Sequence, residues 1–344
     1  MHIYAAKRLG QATVVLLAAY TLSFVLLSAL PGDSVNNRIQ NPEAQITPEA
    51  GRIMLEYYGL DRPVWQQYLH SLAALWRGDF GFSLTNGKPV EELIGEALPG
   101  TVQLAGLGLA FGLAFTAVVA ILANYAPWAW LRSLVGTAPA LFASVPTFVV
   151  GILALQYLSF RFGLIPSVDD GSFRALLAPA ATLGLLIAAP LSQVFTGSIR
   201  TTRRQPFVHV LHAKGAGEGF AFRKDVLRNS ALPVLTLLGL AFGELIAGAV
   251  VTESVFARDG IGQLTVGAVN TQDLPVVQGV VLLSTAVYVL INLAVDLAYP
   301  LIDPRVLVDG KARRSAKAGV VRRKPAVAAV LPAPRPLPVE AAMP

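Results

Sequence analysis

The sequence predicts an all-α, polytopic membrane protein with six transmembrane helices. Of its 344 residues, 54% are hydrophobic and only 14% charged, whereas soluble domains carry roughly 25% charged residues. Mean hydropathy is +0.58. Six stretches approach the ~20 apolar residues that a helix needs to cross a bilayer. They fall at about 12–30, 98–123, 134–159, 175–199, 231–252 and 275–301. No series of short alternating segments accompanies them, which argues against a membrane β-barrel.

The first stretch follows Lys7 and Arg8 and runs from Val14 to Leu30. It has the outline of a signal peptide, but it ends in Leu30-Pro31-Gly32-Asp33 without a small-x-small cleavage pattern, so it reads as an uncleaved first span. Residues 31–97 then form a long loop domain, with five basic and nine acidic residues. Residues 98–305 hold the remaining five helices. The fifth contains Glu244 and the sixth Asp296; the other spans contain no acid.

Lys and Arg placement orients the chain. Between spans four and five lie seven basic residues against two acids, and the tail from Arg305 carries nine against two. With six spans, these segments and the N-terminus share one side. Both termini are therefore expected in the cytoplasm, and the loop domain of residues 31–97 outside it. A sequence pI near 9.6 thus reports topology, and no nucleic-acid partner is expected. The tail, 306–344, is rich in Ala, Pro and basic residues without an apolar face, and is expected to be disordered. Its basic clusters leave anionic lipid open as a partner.

Several motifs imitate catalysis. In "GFSLTNGKP", five residues separate Gly81 from Gly87-Lys88 where a phosphate loop needs four, and Pro89 replaces its Ser or Thr. "GLGLAFG", with Gly106, Gly108 and Gly112, lies inside a span, where small residues permit close helix packing. There is no cysteine, and the four histidines offer only one close pair, His209 and His212, with no acid beside it. Neither a metal site nor a cofactor is expected in this chain, and no nucleophile–base arrangement is visible.

The segment 200–230 is too long for a turn and too short for a domain. "PFVHVLHA" places Phe207, Val210 and Leu211 at i, i+3 and i+4, an amphipathic turn or two of helix. Gly215, Gly217 and Gly219 are expected to bend the chain, and "FRKDVLRNSALP" to resume a helix entering the membrane at Leu232-Pro233. A short surface helix joined to a span suits mechanical coupling; a solvated amphipathic loop fits the same pattern.

"HAKGAGEGFAFRKDVLRNSALPVLT" resembles the coupling segment of permease subunits of ATP-binding-cassette importers, in the dipeptide, oligopeptide and nickel group. In that group an Ala-Lys-Gly precedes the proline of a Leu-Pro by 18 residues, the spacing of Gly215 and Pro233 here. The likeness continues in "LSALPGDSV", "YYGLDRPVWQQYL", "GDFGFSL", "ALPGTVQLA", "SVPTFVVGILAL", "ESVFARDGIGQL" and "YVLINLAVDLAYPLIDPRV", reaching about residue 306. Three positions depart from it: Pro206 where the group often has an acid, Asp259 for a common proline, and Glu244 at a usually neutral position.

The resemblance implies the type I importer permease fold and half of a translocation pore for di- or oligopeptides. Nickel chelates and glutathione-like solutes are alternatives. The implied partners are a homologous second permease, two cytoplasmic ATPases that bind ATP and Mg, and an extracytoplasmic binding protein. His212, Ala213, Lys214, Gly215, Ala216 and Glu218 would couple to the ATPases, with Lys214 and Glu218 either paired at i, i+4 or contacting the partner. Glu253, Phe256, Gly260 and Gly262 would form an outer gate or loop. Trp65, Tyr68, Trp76, Phe80 and Phe82 would make either a docking surface or a cap on the spans. Glu244 would line the pore, favouring cationic solutes, or pair with the second permease; Asp296 would serve the pathway or a structural hydrogen bond. A proton-coupled secondary carrier using Glu244 and Asp296 is the alternative of another class.

Overall fold

The computed structural model describes residues 2–28 and 62–302, with isolated positions between them at 47, 49, 52, 53, 56 and 57. Eleven helices carry the described chain. They are α1 (His2–Ser28), α2 (Val64–Trp76), α3 (Val90–Tyr125), α4 (Ala129–Ala143), α5 (Thr147–Ala154), α6 (Phe173–Arg203), α7 (Pro206–Ala213), α8 (Glu218–Ala221), α9 (Leu227–Val255), α10 (Ile261–Asn270) and α11 (Leu274–Ile302). Wide i→i+5 turns extend α5 through Leu155–Arg161 and join α8 to α9 through Phe222–Val226. One antiparallel bridge, Phe82 to Pro89, is the sole β pairing among the described residues. The bundle lies in the first of two units, Met1–Ala298; the expected tail belongs to the second, Tyr299–Pro344, and falls outside the described residues.

Four helices are long and apolar enough to cross a membrane: Val90–Tyr125, Phe173–Arg203, Glu218–Val255 and Leu274–Ala294. The expected third span is not one helix. Its halves, Ala129–Ala143 and Thr147–Arg161, meet at 103°. Pro146, extended at ψ 138°, stands at the N-cap of the second half, and Ser144 closes the first half by donating its hydroxyl to the Leu141 carbonyl at 2.7 Å. Six crossings result only when this bent pair counts as one and the shorter apolar stretch of α1, Gly10–Leu26, as another. The second span starts earlier than the expected 98, because Pro89 caps α3 and Glu91 and Glu92 suit its first turn.

Helix α6 is the most buried of the four crossings and organises the rest. Gly108 approaches Ala180 and Leu183, Gly112 approaches Gly184 and Ile187, and Asn124 bonds the Thr196 carbonyl. This constant offset makes α3 and α6 parallel. A Cβ on Gly184 would stand 2.5 Å from the Gly108 carbonyl oxygen, so only glycine lets the two backbones cross this closely. Gly106, by contrast, faces open space. Helix α9 runs antiparallel to α3, since Thr101 meets Glu253 at one end while Tyr125 meets Phe222 at the other. The main core, including Leu104, Leu183, Ile187, Ile199, Val226 and Leu245, fills the space between these helices. A second cluster packs the start of α3 (Val90, Leu93) against α10 and α11 (Ile261, Val276, Val280).

Candidate functional site

The expected coupling residues straddle the end of a short helix: His212 and Ala213 close α7, Lys214, Gly215 and Ala216 make the turn after it, and Glu218 opens α8. Pro206 occupies the first turn of α7, where its missing N–H costs nothing. The helix ends when the Gly215 N–H reaches back to the His212 carbonyl (2.9 Å) and the Ala216 N–H to the Leu211 carbonyl (3.1 Å). This paired closure needs a left-handed residue at Gly215, whose φ is +85°. Val208 alone of α7 is buried, at 3% exposure, and joins the main core. Phe207 and Val210 of the expected apolar stripe are exposed, as are His212, Ala213, Lys214 and Glu218; Ala216 is half-buried.

Two local expectations are corrected. Lys214 does not pair with Glu218: the Gly215 turn separates them from any common helix face, and Glu218 faces Arg203 at 3.5 Å instead. Gly219 does not bend the chain, because it lies inside the helical rod that starts at Glu218 and runs without a break to Val255.

Arg203, which sequence reasoning passed over, ties this segment to the bundle. Its Nη1 donates to the Asn124 carbonyl at the end of α3 (2.7 Å), Nη2 faces Glu218, and the guanidinium lies 4.3 Å from the Tyr125 ring centroid. Tyr125 in turn meets Phe222 edge-on at 5.2 Å. One side chain thus joins the ends of α3 and α6 to the start of the α8–α9 rod. Spacing could not reveal it, since Asn124 lies 79 residues away.

At the opposite end of α9, the four expected outer residues converge. Glu253 is fully buried (0% exposed). Its Oε1 accepts from the Thr101 hydroxyl at 2.6 Å, and its Oε2 from the N–H groups of Gly262 (2.7 Å) and Gln263 (3.3 Å). Thr101 also accepts from the Ile261 N–H at 2.8 Å. A Cβ on Gly260 or Gly262 would strike the Glu253 carboxylate, so both glycines admit it. Phe256 is buried beside them. Two residues on, Arg258 is buried and pairs with Asp169 at 3.1 Å. On the neighbouring loop, Asp170 is held below the usual carboxylate range by hydrogen bonds from the Ser172 hydroxyl and N–H. Asp273 fixes the turn before α11, accepting from the Ser83 hydroxyl (2.5 Å) and the Thr85 N–H (3.0 Å). Lys88 is held above its ordinary pKa by Glu96 and then Glu92.

Glu244 lies on the exposed face of α9, in line with Leu240 and Val251, and has no ion-pair partner among the described residues. Asp296 falls on α11, but its side chain is outside the described residues. Among the expected outer aromatics, Tyr68 packs onto α1 against Tyr20 and Phe24 and shares a 2.8 Å hydrogen bond with Thr21. Trp65 instead stands 62% exposed; the side chain of Trp76 is outside the described residues. The loop therefore divides between capping the spans and presenting a free indole.

The family described as "Binding-protein-dependent transport system inner membrane component" matches residues 116–308. The chain belongs to this family. The glutathione transport system permease protein GsiC of Escherichia coli (strain K12) is 32% identical over 303 residues, covering 88% of this chain and 98% of GsiC. GsiC of Salmonella typhimurium is 33% identical over the same length and coverage. The probable peptide ABC transporter permease protein y4tP of Sinorhizobium fredii is 32% identical over 314 residues, covering 89% of this chain and 99% of that protein. A solved amino acid ABC transporter chain aligns at 18% identity with a TM-score of 0.46, over 62% of this chain and 94% of that one.

This permease is therefore an inner-membrane subunit of an ABC importer of the peptide-type group. Its family is one of transport subunits, not enzymes, and works with substrate-binding and ATPase partners. The proton-coupled carrier alternative is set aside by that membership.

Proposed function

We propose that the permease supplies half of the pore for di- or oligopeptides. A binding protein delivers them from outside, and a homologous permease completes the pore. Two cytoplasmic ATPases, which bind ATP and Mg, grip α7. Both termini lie in the cytoplasm, which puts α7 on the ATPase side and the Glu253 turn on the binding-protein side. The division behind this reading is a loop domain at residues 31–97 and a five-helix core at 98–305.

The observation that carries the reading is the handle itself. Helix α7 exposes Phe207, Val210, His212 and Ala213, while Val208 and Arg203 anchor it to the bundle. An exposed apolar edge on an anchored helix suits insertion into a groove. The Gly215 turn leads directly into the rod of α9, so a push on α7 reaches the membrane-spanning part.

Glu244 lies 11 residues before Val255, about 16 Å along the rod at 1.5 Å per residue. A charged side chain facing hydrocarbon costs about 2.5–3.5 kcal/mol on insertion scales. Its exposed face therefore turns either to the pore, where it favours the amino group of a peptide, or to the second permease.

Glutathione import is the second reading, favoured by the names of the GsiC relatives. Nickel chelates remain an alternative of the same group.

The native chain has no cysteine, so single-cysteine variants give clean crosslinks. Ala213→Cys should crosslink to a cysteine in the ATPase groove, with a yield that changes on ATP binding. An intact complex without that crosslink overturns the coupling assignment.

A further inference from the structure

We propose that the cleft between the end of α3, the start of α4 and the end of α6 binds the phosphate headgroup of an anionic phospholipid. The cleft encloses about 440 Å³ and brings together Arg132, Arg200, Arg203 and Arg204 with Asn124 and Ser133. No acidic residue lines it. Four guanidinium groups around one cavity concentrate positive charge, and each offers the planar fork that matches phosphate oxygens.

Two of the four are already engaged. Arg203 is held by the Asn124 carbonyl, Glu218 and Tyr125, and Arg132 donates Nη1 to the Ala126 carbonyl at 2.8 Å. Arg200 and Arg204 are exposed and make no ion pair among the described residues. Arg200 in the last turn of α6 and Arg204 just past its end both line the cavity, which leaves both forks available to a ligand.

The surroundings favour a lipid over an acidic protein. Trp128 and Trp130, at the start of α4, are 59% and 63% exposed and stack with ring centroids 6.4 Å apart. Exposed indoles collect where hydrocarbon meets headgroups. Farther along α4, Leu134 and Leu141 are 58% and 66% exposed. Along α4 the order is Trp128, Trp130, Arg132, Leu134 and Leu141, so the arginine that lines the cleft stands between interfacial indoles and an apolar helix face, the surroundings of a phospholipid headgroup. A basic pocket between helix ends on the cytoplasmic side is a recognised form of anionic-lipid site. The assignment to the inner leaflet rests on the cytoplasmic orientation proposed above.

The test uses the whole transporter complex, wild type and Arg200→Gln/Arg204→Gln, which spares the Arg203 anchor. Vesicles of phosphatidylcholine with and without phosphatidylglycerol are the probes. Native mass spectrometry counts bound lipid, and thermal unfolding follows stabilisation. Wild type should retain phosphatidylglycerol and gain stability from it. At about fivefold per arginine near the surface, the double variant should bind about 30-fold more weakly. Equal retention by both overturns the site. Equal protection by inorganic phosphate assigns the cleft to a free anion instead. Loss of ATPase from the double variant, with lipid retention unchanged, assigns it to an acidic protein surface. Labelling Ala129→Cys with a membrane-impermeant thiol reagent in sided vesicles separates the orientation. Labelling from outside overturns the leaflet, whereas lipid retention decides the site.

Discussion

Replacing Glu253 by alanine should unfasten the turn that joins α9 to α10. The carboxylate holds Thr101 at 2.6 Å and the Gly262 N–H at 2.7 Å, in a site with no solvent exposure. Its removal leaves those two donors without acceptors. At about 1–3 kcal/mol for each buried orphan, the loss is about 2–6 kcal/mol. The Gln263 N–H adds little, because its bond is long at 3.3 Å and its residue is exposed. Glu253→Gln should cost less. The amide oxygen can still accept from Gly262, and the amide N–H₂ can donate to Thr101 Oγ1, which already accepts from Ile261. The remaining loss is charge assistance and one reoriented hydroxyl, about 1–2 kcal/mol. Thr101→Val removes the facing group without changing its shape, so the two positions form a double-mutant cycle with a coupling of about 0.5–3 kcal/mol. Thermal unfolding of the purified complex, with the variants ranked wild type, Gln, Ala, would support the staple. An alanine variant that melts with wild type, or a glutamine variant as unstable as alanine, would refute the hydrogen-bond account.

Gly215→Ala should reduce uptake while leaving the permease inserted, because an L side chain in the left-handed region costs about 1–2 kcal/mol. Gly215→Asn should be milder, since asparagine visits that region more readily. Gly215→Trp should abolish uptake if α7 is the proposed ATPase contact, because open space around the position lets the indole project from that surface; full uptake by all three would show that the closure of α7 is dispensable. Glu244→Gln should lower uptake of cationic peptides more than neutral ones if the residue lines the pore. A uniform loss accompanied by weaker pull-down of the second permease assigns it to the subunit interface, and unchanged uptake with an intact complex refutes both.

Much of this arrangement was legible because hydropathy and glycine chemistry act locally. The long spans, the short amphipathic helix and the stop at Gly215 each follow from residues within a few turns of one another. The break at Pro146 was not legible for a definite reason. Pro99, Pro179, Pro190 and Pro233 all lie inside helices that continue through them, so a proline in an apolar run does not by itself declare a break. What differs at Pro146 is that Ser144 and Val145 have already closed the preceding turn onto Leu141 and Phe142. The partners of Arg203 and Glu253 were hidden by distance along the chain, 79 residues to Asn124 and 152 to Thr101. Of the two readings of Lys214 and Glu218, the ion pair fails, because i, i+4 spacing has meaning only when a helix spans both residues.

The two ends of the α8–α9 rod carry different polar fastenings, and on the proposed coupling reading that difference would decide where motion enters. At the α10 end the fastening is a buried carboxylate with three donors, which cannot separate without leaving polar groups unpaired in a dry site. At the α7 end, Glu218 meets Arg203 at 3.5 Å with most of its side chain in solvent, and an exposed pair of this kind contributes about 0–1 kcal/mol. The wide turn at Phe222–Val226 is held beside it by apolar packing, Phe222 on Tyr125 and Val226 in the main core, which unlike the Glu253 network is non-directional. On the coupling reading proposed above, a force applied to α7 would meet the weaker polar fastening first, releasing Glu218 before it disturbs Glu253, and the rod would pivot about its stapled end. Glu244 lies between the two, about 14 Å from the Glu253 staple at 1.5 Å per residue, and a pivot there would displace it sideways along the exposed face of α9. If α7 is the handle proposed above, Glu244 is an exposed charged group of α9 that it would move.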